Sequence, residues 1–345
     1  MLNLRVNYPS VPREMDVFQE YCKNITPSAV SGLLHPSYQS LDASGKAVVF
    51  NWLHAAGEQS DLISLPSGNN ALYCILTYFR SITEHIAIEP TTFPGFKMSA
   101  TNMNYQFHVI AADEEGMLPE ALAEHLKTGK SKLIYLQPTI HNPTTNVMSL
   151  ARRQAIAEVV RTFEDVYILE DDAYRFLHPS PPPSFLTIFP ERTMHIHSMS
   201  KPFNPMLRSA YLAAPKGLLK GIENLVQLTS SGTSQLFTDF SIYLMKGELL
   251  KGIIHEKQQA AQALQEKVQQ IFKGLSYKTF PTSFHIWLKA DPTIPDQLKE
   301  QGIDIPSGAD FSMTNNAEHI RVALGMSWDQ EALLPGLNTI ATTFK

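Results

Sequence analysis

"HSMSKPFNPMLRSAY", residues 197–211, is the stretch whose reading decides the fold. A β-type run from Met194 to Ser200 finishes in one lysine, Lys201. Prolines at 202 and 205 then forbid a continuing helix, and Arg208 follows within the bend. A strand that ends in a lone amine, beside hydroxyls and an arginine, suits a sheet whose strand ends carry chemistry.

Outward from this point the chain alternates. "AVVFNWLHAA" and "NNALYCILTYFRSI" read as helices, "EHIAIEP" as a short strand and "LPEALAEHLKTG" as a helix with a glycine stop. "KLIYLQP" reads as a buried strand, "SLARRQAIAEVVRTF" as a Ser-capped helix, and "VYILEDD" and "TMHIHSMS" as strands. Strands and helices in turn predict an α/β protein whose large domain, residues 46–240, is a mainly parallel central sheet flanked by helices. Such sheets bind ligands beyond the carboxyl ends of their strands. After 240 a long helical run, 241–272, precedes "SFHIWLKAD", "GIDIPSGADF" and "HIRVALG", which reads as a smaller α+β C-terminal domain, 241–345. Residues 1–45 form an N-terminal arm contributing to that small domain.

Composition narrows the function. At 345 residues and 43% hydrophobic content the chain can bury a large core, and a net charge of −5 without a basic run argues against nucleic acid. The two cysteines, Cys22 and Cys74, are far apart and lack metal spacing, so no metal site is expected. The absence of an apolar leader or spanning segment predicts a soluble, cytoplasmic protein with no membrane partner.

Three strands end in unusual groups: "KLIYLQP" leads to Asn142, "VYILEDDAY" ends in Glu170, Asp171, Asp172 and Tyr174, and the third ends in Ser198, Ser200 and Lys201. "LPSGNNAL" sets Ser67, Gly68 and Asn69 at a helix start, where free N–H groups and the helix dipole favour a phosphate. Arg208 can supply the countercharge. Singly, these are a solvated lysine, an acidic turn and an N-cap. Together they are the groups one cofactor needs, pyridoxal 5′-phosphate (PLP), whose aldehyde takes a lysine and whose ring accepts electrons.

The sequence resembles the fold-type I PLP-dependent enzymes, and within them the class I/II aminotransferases, over roughly residues 30–325. "SMSKPFNPMLRSAY" is similar to the family's S-x-S-K-x-x-x-P-G-L-R-x-G-Y, "HNPTTNV" to its N-P-T-G and "ILEDDAYRFL" to its D-x-x-Y strand. "LPSGNNAL", "EPTTFPGF", "DEEGM" and "HIRVALG" fall in the family's order. The resemblance implies the PLP-dependent transferase fold and a Lys201 Schiff base, with Lys201 then acting as base and acid at the substrate Cα. It implies that Asp171 pairs with the pyridine nitrogen and that Tyr174 and Asn142 bond the phenolic oxygen. Phe93 stacks on the ring, and Ser67, Gly68, Asn69, Ser198 and Arg208 hold the phosphate. Arg321 grips the substrate carboxylate beside Asn142, and Tyr38 reaches the phosphate of a neighbouring subunit, which implies a homodimer with shared active sites. The substrates implied are an L-amino acid and a 2-oxo acid.

The chain departs from the family at three glycines, replaced by Thr145, Met206 and Ala210. His141, Thr282 and Ser283 are expected near the substrate entrance, with an effect on specificity. Three competing functions remain. The site chemistry also permits another PLP reaction such as a C–S β-lyase. "ILEDDAYRFL" also resembles the aminotransferase-like domain of PLP-dependent GntR-type regulators, a non-catalytic amino-acid sensor, although "GNNAL" comes too early for the winged helix those carry. A nucleotide-binding reading is opposed by the absence of a glycine-rich phosphate loop after any predicted strand.

Overall fold

The computed structural model describes residues 1–26, 30, 32–33, 41–325 and 330–344. Seven strands build the central sheet: β1 (Ser60–Leu65), β2 (His85–Ile88), β3 (Gln106–Val109), β4 (Leu133–Leu136), β5 (Tyr167–Asp171), β6 (Thr193–Ser198) and β7 (Ala210–Pro215). Their order is β1-β7-β6-β5-β4-β2-β3. Strands β6 to β3 run parallel, and β7 is antiparallel to both neighbours. The reversal matters for the site: register pairs Ala210 with Ser198, so the bend after β6 returns Arg208 to the edge where β5 and β6 end.

Strand alternation explains why β4 is apolar throughout. Leu133 and Tyr135 join one core, with helices α3 (Gly68–Phe79), α4 (Pro94–Asn102) and α7 (Lys216–Ser230). Ile134 and Leu136 join the opposite core, with α5 (Pro119–Leu126) and α6 (Leu150–Arg161). A third core lies between α1 (Arg13–Asn24), α2 (Ala43–Trp52), α8 (Gln235–Lys246) and the first turns of α9 (Leu249–Ile271).

The C-terminal part holds a small antiparallel sheet of β8 (Tyr277–Lys278), β9 (His285–Lys289) and β10 (His319–Ala323). Its core takes Ala261 and Val268 of α9, helix α10 (Gln330–Thr343), and Leu2 and Leu4 from the chain start. Leu2–Asn3 pairs in parallel with Ile303–Asp304, which fixes residues 5–8 over the carboxyl edge of the large sheet.

Two sequence expectations change here. The run 241–272 is two helices, because Gly247 adopts an extended backbone and ends α8. The strand expected to reach Ser200 ends at Ser198, where the Ser200 N–H turns to Ser198 Oγ at 3.3 Å.

Arg153 is fully buried beneath the β4 and β5 ends. It donates to the carbonyls of Met148, Pro138 and Pro183 at 3.0–3.2 Å and to Thr139 Oγ1, and lies 3.7 Å from Glu170. Arg153→Ala strands these acceptors and the buried carboxylate, and is expected to destabilise the protein by about 3–5 kcal/mol. Urea denaturation checks this; a loss below about 1 kcal/mol would show that water replaces the guanidinium freely.

Candidate active site

A cavity of about 260 Å³ opens at the carboxyl edge of the sheet. It collects Ser67, Gly68, Asn69, Phe93, Asn142, Asp171, Tyr174, Ser198, Lys201, Arg208 and Arg321, every cofactor- or carboxylate-contact residue that the resemblance implied except Tyr38, which lies outside the described residues.

Lys201 follows β6 in the turn that Met199 closes by donating to Ser209 O at 3.0 Å. Its ammonium lies between the rings of Tyr8 and Tyr174, at 4.8 and 4.9 Å, and donates to Asn7 O at 3.2 Å. The backbone is held from below: Lys257 Nζ donates to Lys201 O at 2.8 Å and to Phe203 O, and pairs with Glu14 at 2.8 Å. Burial pushes the Lys257 ammonium down to about 8, with Glu14 opposing. A charged pair spent on two backbone carbonyls fixes where the Lys201 loop runs.

At the end of β5, alternation sends Asp171 into the cavity, where it accepts from Tyr135 Oη at 2.8 Å. Burial pushes its carboxyl up to about 6, against the Tyr135 hydrogen bond and the Lys201 charge. The group is poised to be stabilised by a cationic partner. Tyr174 follows on the next turn and accepts from Asn7 Nδ2 at 3.0 Å.

The anion end is built by the N-terminus of α3, capped by the Ser67 side chain accepting from Asn70 N. Ser198 Oγ and Ser200 Oγ lie 3.1 Å apart beside it. Arg208, in a left-handed conformation at φ 44°, has no acidic side chain within ion-pair distance among the described residues. Free N–H groups, hydroxyls and an uncompensated guanidinium fit a phosphate. At the other end Arg321, buried in β10, donates to Asn142 Oδ1 at 3.4 Å and to Arg5 O, while its Nε is buried with no partner. That open N–H fits one oxygen of a carboxylate.

Sequence reasoning missed the N-terminal segment: Arg5, Val6, Asn7 and Tyr8 line the cavity. No motif marks them, because their position comes from the Leu2–Asn3 pairing with residues 303–304. Lys257 and Glu14 did carry a signal, since a lysine on the apolar stripe of α9 needs a buried partner.

His141, Thr282 and Ser283 do not line the cavity and are corrected to structural positions. Thr282 donates to Leu177 O at 2.6 Å, and Ser283 Oγ bonds His285. His141, pushed down to about 4 by burial, faces Glu89 at 3.6 Å on the far side of Asn142. Thr145, where a glycine was expected, keeps a positive φ of 61°, so the turn survives with strain on a β-branched residue. Met206 sits half-exposed in a short turn and Ala210 starts β7, neither requiring glycine.

The family model for aminotransferase class I and II matches residues 34–333, and the chain belongs to that family, whose cofactor is the PLP that the site fits. It is 24% identical to the 2-aminoadipate transaminase of Thermus thermophilus over 322 residues, covering 87% of this chain and 79% of that one. It is 27% identical to the Bacillus subtilis protein described as an uncharacterized HTH-type transcriptional regulator, YdeF, over 221 residues, 64% of this chain and 48% of YdeF. The chain thus spans about half the length of that relative. Among solved structures, the α-aminoadipate aminotransferase LysN of Thermus thermophilus, complexed with N-(5′-phosphopyridoxyl)-L-leucine, superposes with a TM-score of 0.87 at 21% identity, over 99% of this chain and 91% of that one. No helix among the described residues is long and apolar enough to cross a membrane.

Proposed function

We propose that this protein is a PLP-dependent aminotransferase that moves the amino group of an L-amino acid to a 2-oxo acid. The observation that carries this reading is the convergence, in one cavity, of Lys201, the buried Asp171 and two arginines, Arg208 and Arg321, at opposite ends. PLP, when bound, supplies an aldehyde for the amine and a ring that accepts the electron pair of the Cα–H bond. Arg208, Ser198, Ser200 and the α3 N-terminus hold its phosphate. Asp171 keeps the pyridine nitrogen protonated, and Tyr174 with Asn142 binds the ring hydroxyl. Arg321 holds the substrate carboxylate and so orients Cα, and Lys201 Nζ takes the Cα proton, a choice that favours transamination over decarboxylation.

The similarity to YdeF favours a second reading, an amino-acid sensor that binds and stops. A near-ultraviolet and visible titration separates them. A cofactor band that converts to the pyridoxamine form with an amino acid, and returns with a 2-oxo acid, supports the aminotransferase. A band that shifts without converting supports the sensor, and release of a β-substituent supports a lyase.

Arg321→Gln is expected to raise the amino-acid KM by about 100-fold, from the loss of a two-point charged contact, with the cofactor spectrum unchanged. Steady-state kinetics check this; an unchanged KM places the carboxylate elsewhere. We also infer a cytoplasmic homodimer with Tyr38 contributing across the interface, and a domain division near residues 45 and 240. Sedimentation with wild type and Tyr38→Phe tests the shared site.

A further inference from the structure

Asn7, on the N-terminal segment that crosses the Lys201 cavity, is buried, and its side-chain amide has one possible orientation. The Gly325 N–H, which can only donate, reaches Asn7 Oδ1 at 3.1 Å. That fixes Oδ1 as the acceptor and turns Nδ2 to Tyr174 Oη, 3.0 Å away. An amide NH₂ can only donate, so the phenol accepts, and its single proton has to point elsewhere. Among the described residues no acceptor takes that proton, which is left for the cavity that Tyr174 lines. The contact does not hold the segment in place by itself, because Tyr8 N donates to Gly325 O at 2.8 Å through the backbone. The Asn7 carbonyl accepts from Lys201 Nζ at 3.2 Å, again without the side chain.

We propose that Asn7 is a positioning residue for the chemistry at Lys201: its amide holds the Tyr174 hydroxyl as a donor aimed at the ring oxygen of bound PLP. The inference rests on the reading in which Tyr174 meets that oxygen. Donation into Oη also polarises the O–H left free, which strengthens the outgoing bond. A donor on the ring oxygen draws off negative charge that would otherwise hold the proton of the covalent Lys201 linkage. The linkage therefore loses that proton at a lower pH with Asn7 in place than without it.

The charged groups around the phenol are Lys201, 4.9 Å from its ring, and Arg321 and Asp171, which share the cavity. His285, its ring 5.0 Å from that of Tyr174, is pushed down to about 3 by burial and stays neutral. Asn7→Leu alters none of these groups and adds no charge, so a changed proton affinity in that variant comes from the lost hydrogen bond.

The test uses the full chain loaded with PLP and no amino acid, and reads the midpoint of the cofactor absorption band between about pH 5 and about pH 10. Wild type, Asn7→Leu, Tyr174→Phe and the double variant are compared. Asn7→Leu is expected to raise the midpoint by about half a pH unit or more, and Tyr174→Phe to raise it further. Added to Tyr174→Phe, Asn7→Leu should change nothing, since the phenol through which it acts is gone. Should Asn7→Leu fail to fold, Asn7→Asp carries the comparison. It keeps an acceptor for Gly325 N, draws the phenol's proton to itself, and should raise the midpoint more with Tyr174 present than in Tyr174→Phe. A purely structural role predicts a lower melting temperature with the midpoint unmoved, and that result overturns the proposal. A lowered midpoint, or an effect equally large in Tyr174→Phe, does the same. An unmoved midpoint in Tyr174→Phe alone overturns the reading of Tyr174, and the proposal with it.

Discussion

Lys201→Ala is expected to lower turnover by about 10⁴-fold or more and to remove the absorption band of the covalently held cofactor, while leaving PLP able to bind. The expected loss is large because two roles vanish together: the covalent anchor and the base that takes the Cα proton. Binding should persist because the groups proposed to hold the phosphate, Arg208, Ser198 and the α3 N-terminus, lie elsewhere in the cavity. The fold should be unaffected. The backbone of the loop is held by Lys257 on the carbonyls of residues 201 and 203, and those bonds do not involve the Lys201 side chain. Absorption spectra and initial rates with the best amino-acid donor measure both effects. Turnover within tenfold of wild type would remove Lys201 from the chemistry and, with it, the proposed function.

Asp171→Asn separates activity from stability. The amide cannot hold a proton on the pyridine nitrogen, and removing one such buried electrostatic partner is expected to lower kcat by about 10²–10³-fold. Stability of the cofactor-free protein should move the other way. Burial lifts the folded carboxyl to about 6, above its unfolded value of 3.8. Its contribution to stability is therefore full below about pH 4 and is lost as pH rises through about 6. By about pH 8 ionising it in the folded state costs about 3 kcal/mol at most. The neutral amide escapes that cost and can still accept from Tyr135. Cofactor-free Asp171→Asn should thus be more stable than wild type at pH 8, with the gap closing as pH falls from 6 to 4. Denaturation of both cofactor-free proteins across this range checks the sign. A gap independent of pH would mean that Asp171 is not the titrating group. A carboxylate that is a burden until a cationic ring nitrogen arrives is the mark of a binding group, not of a scaffold residue.

The strand-end groups were legible because they sit where local pattern is strongest. "LIYL" and "YILED" are short apolar runs ending abruptly in polar residues, and the strand period alone separates Asp171 from Asp172. The phosphate turn was legible because Ser67 caps a helix in a way that local backbone chemistry requires. Within the large domain, strands β1, β3 and β7 and helices α4 and α7 went unread. β3 is an edge strand with half-exposed residues and no clean alternation, and β7 takes its place from the bend that Arg208 closes.

The error over His141, Thr282 and Ser283 has one cause. His141 lies next in sequence to the cavity residue Asn142, and all three side chains are turned by what packs against them. Ser283 turns to cap His285, and His141 is drawn to Glu89.

By itself, then, the sequence determined the α/β class and the identity of most of the groups that line the Lys201 cavity, because alternation, capping and proline breaks act over a few residues. The tertiary structure decided what those groups meet. It laid Arg5 to Tyr8 across the cavity through strand pairing 300 residues away in the chain, and set Lys257 and Glu14 under the lysine loop. Each of these rests on contacts between distant segments, whose formation depends on the packing of the whole core; of them only Lys257 leaves a trace in its own stretch, as a lysine on the apolar stripe of α9.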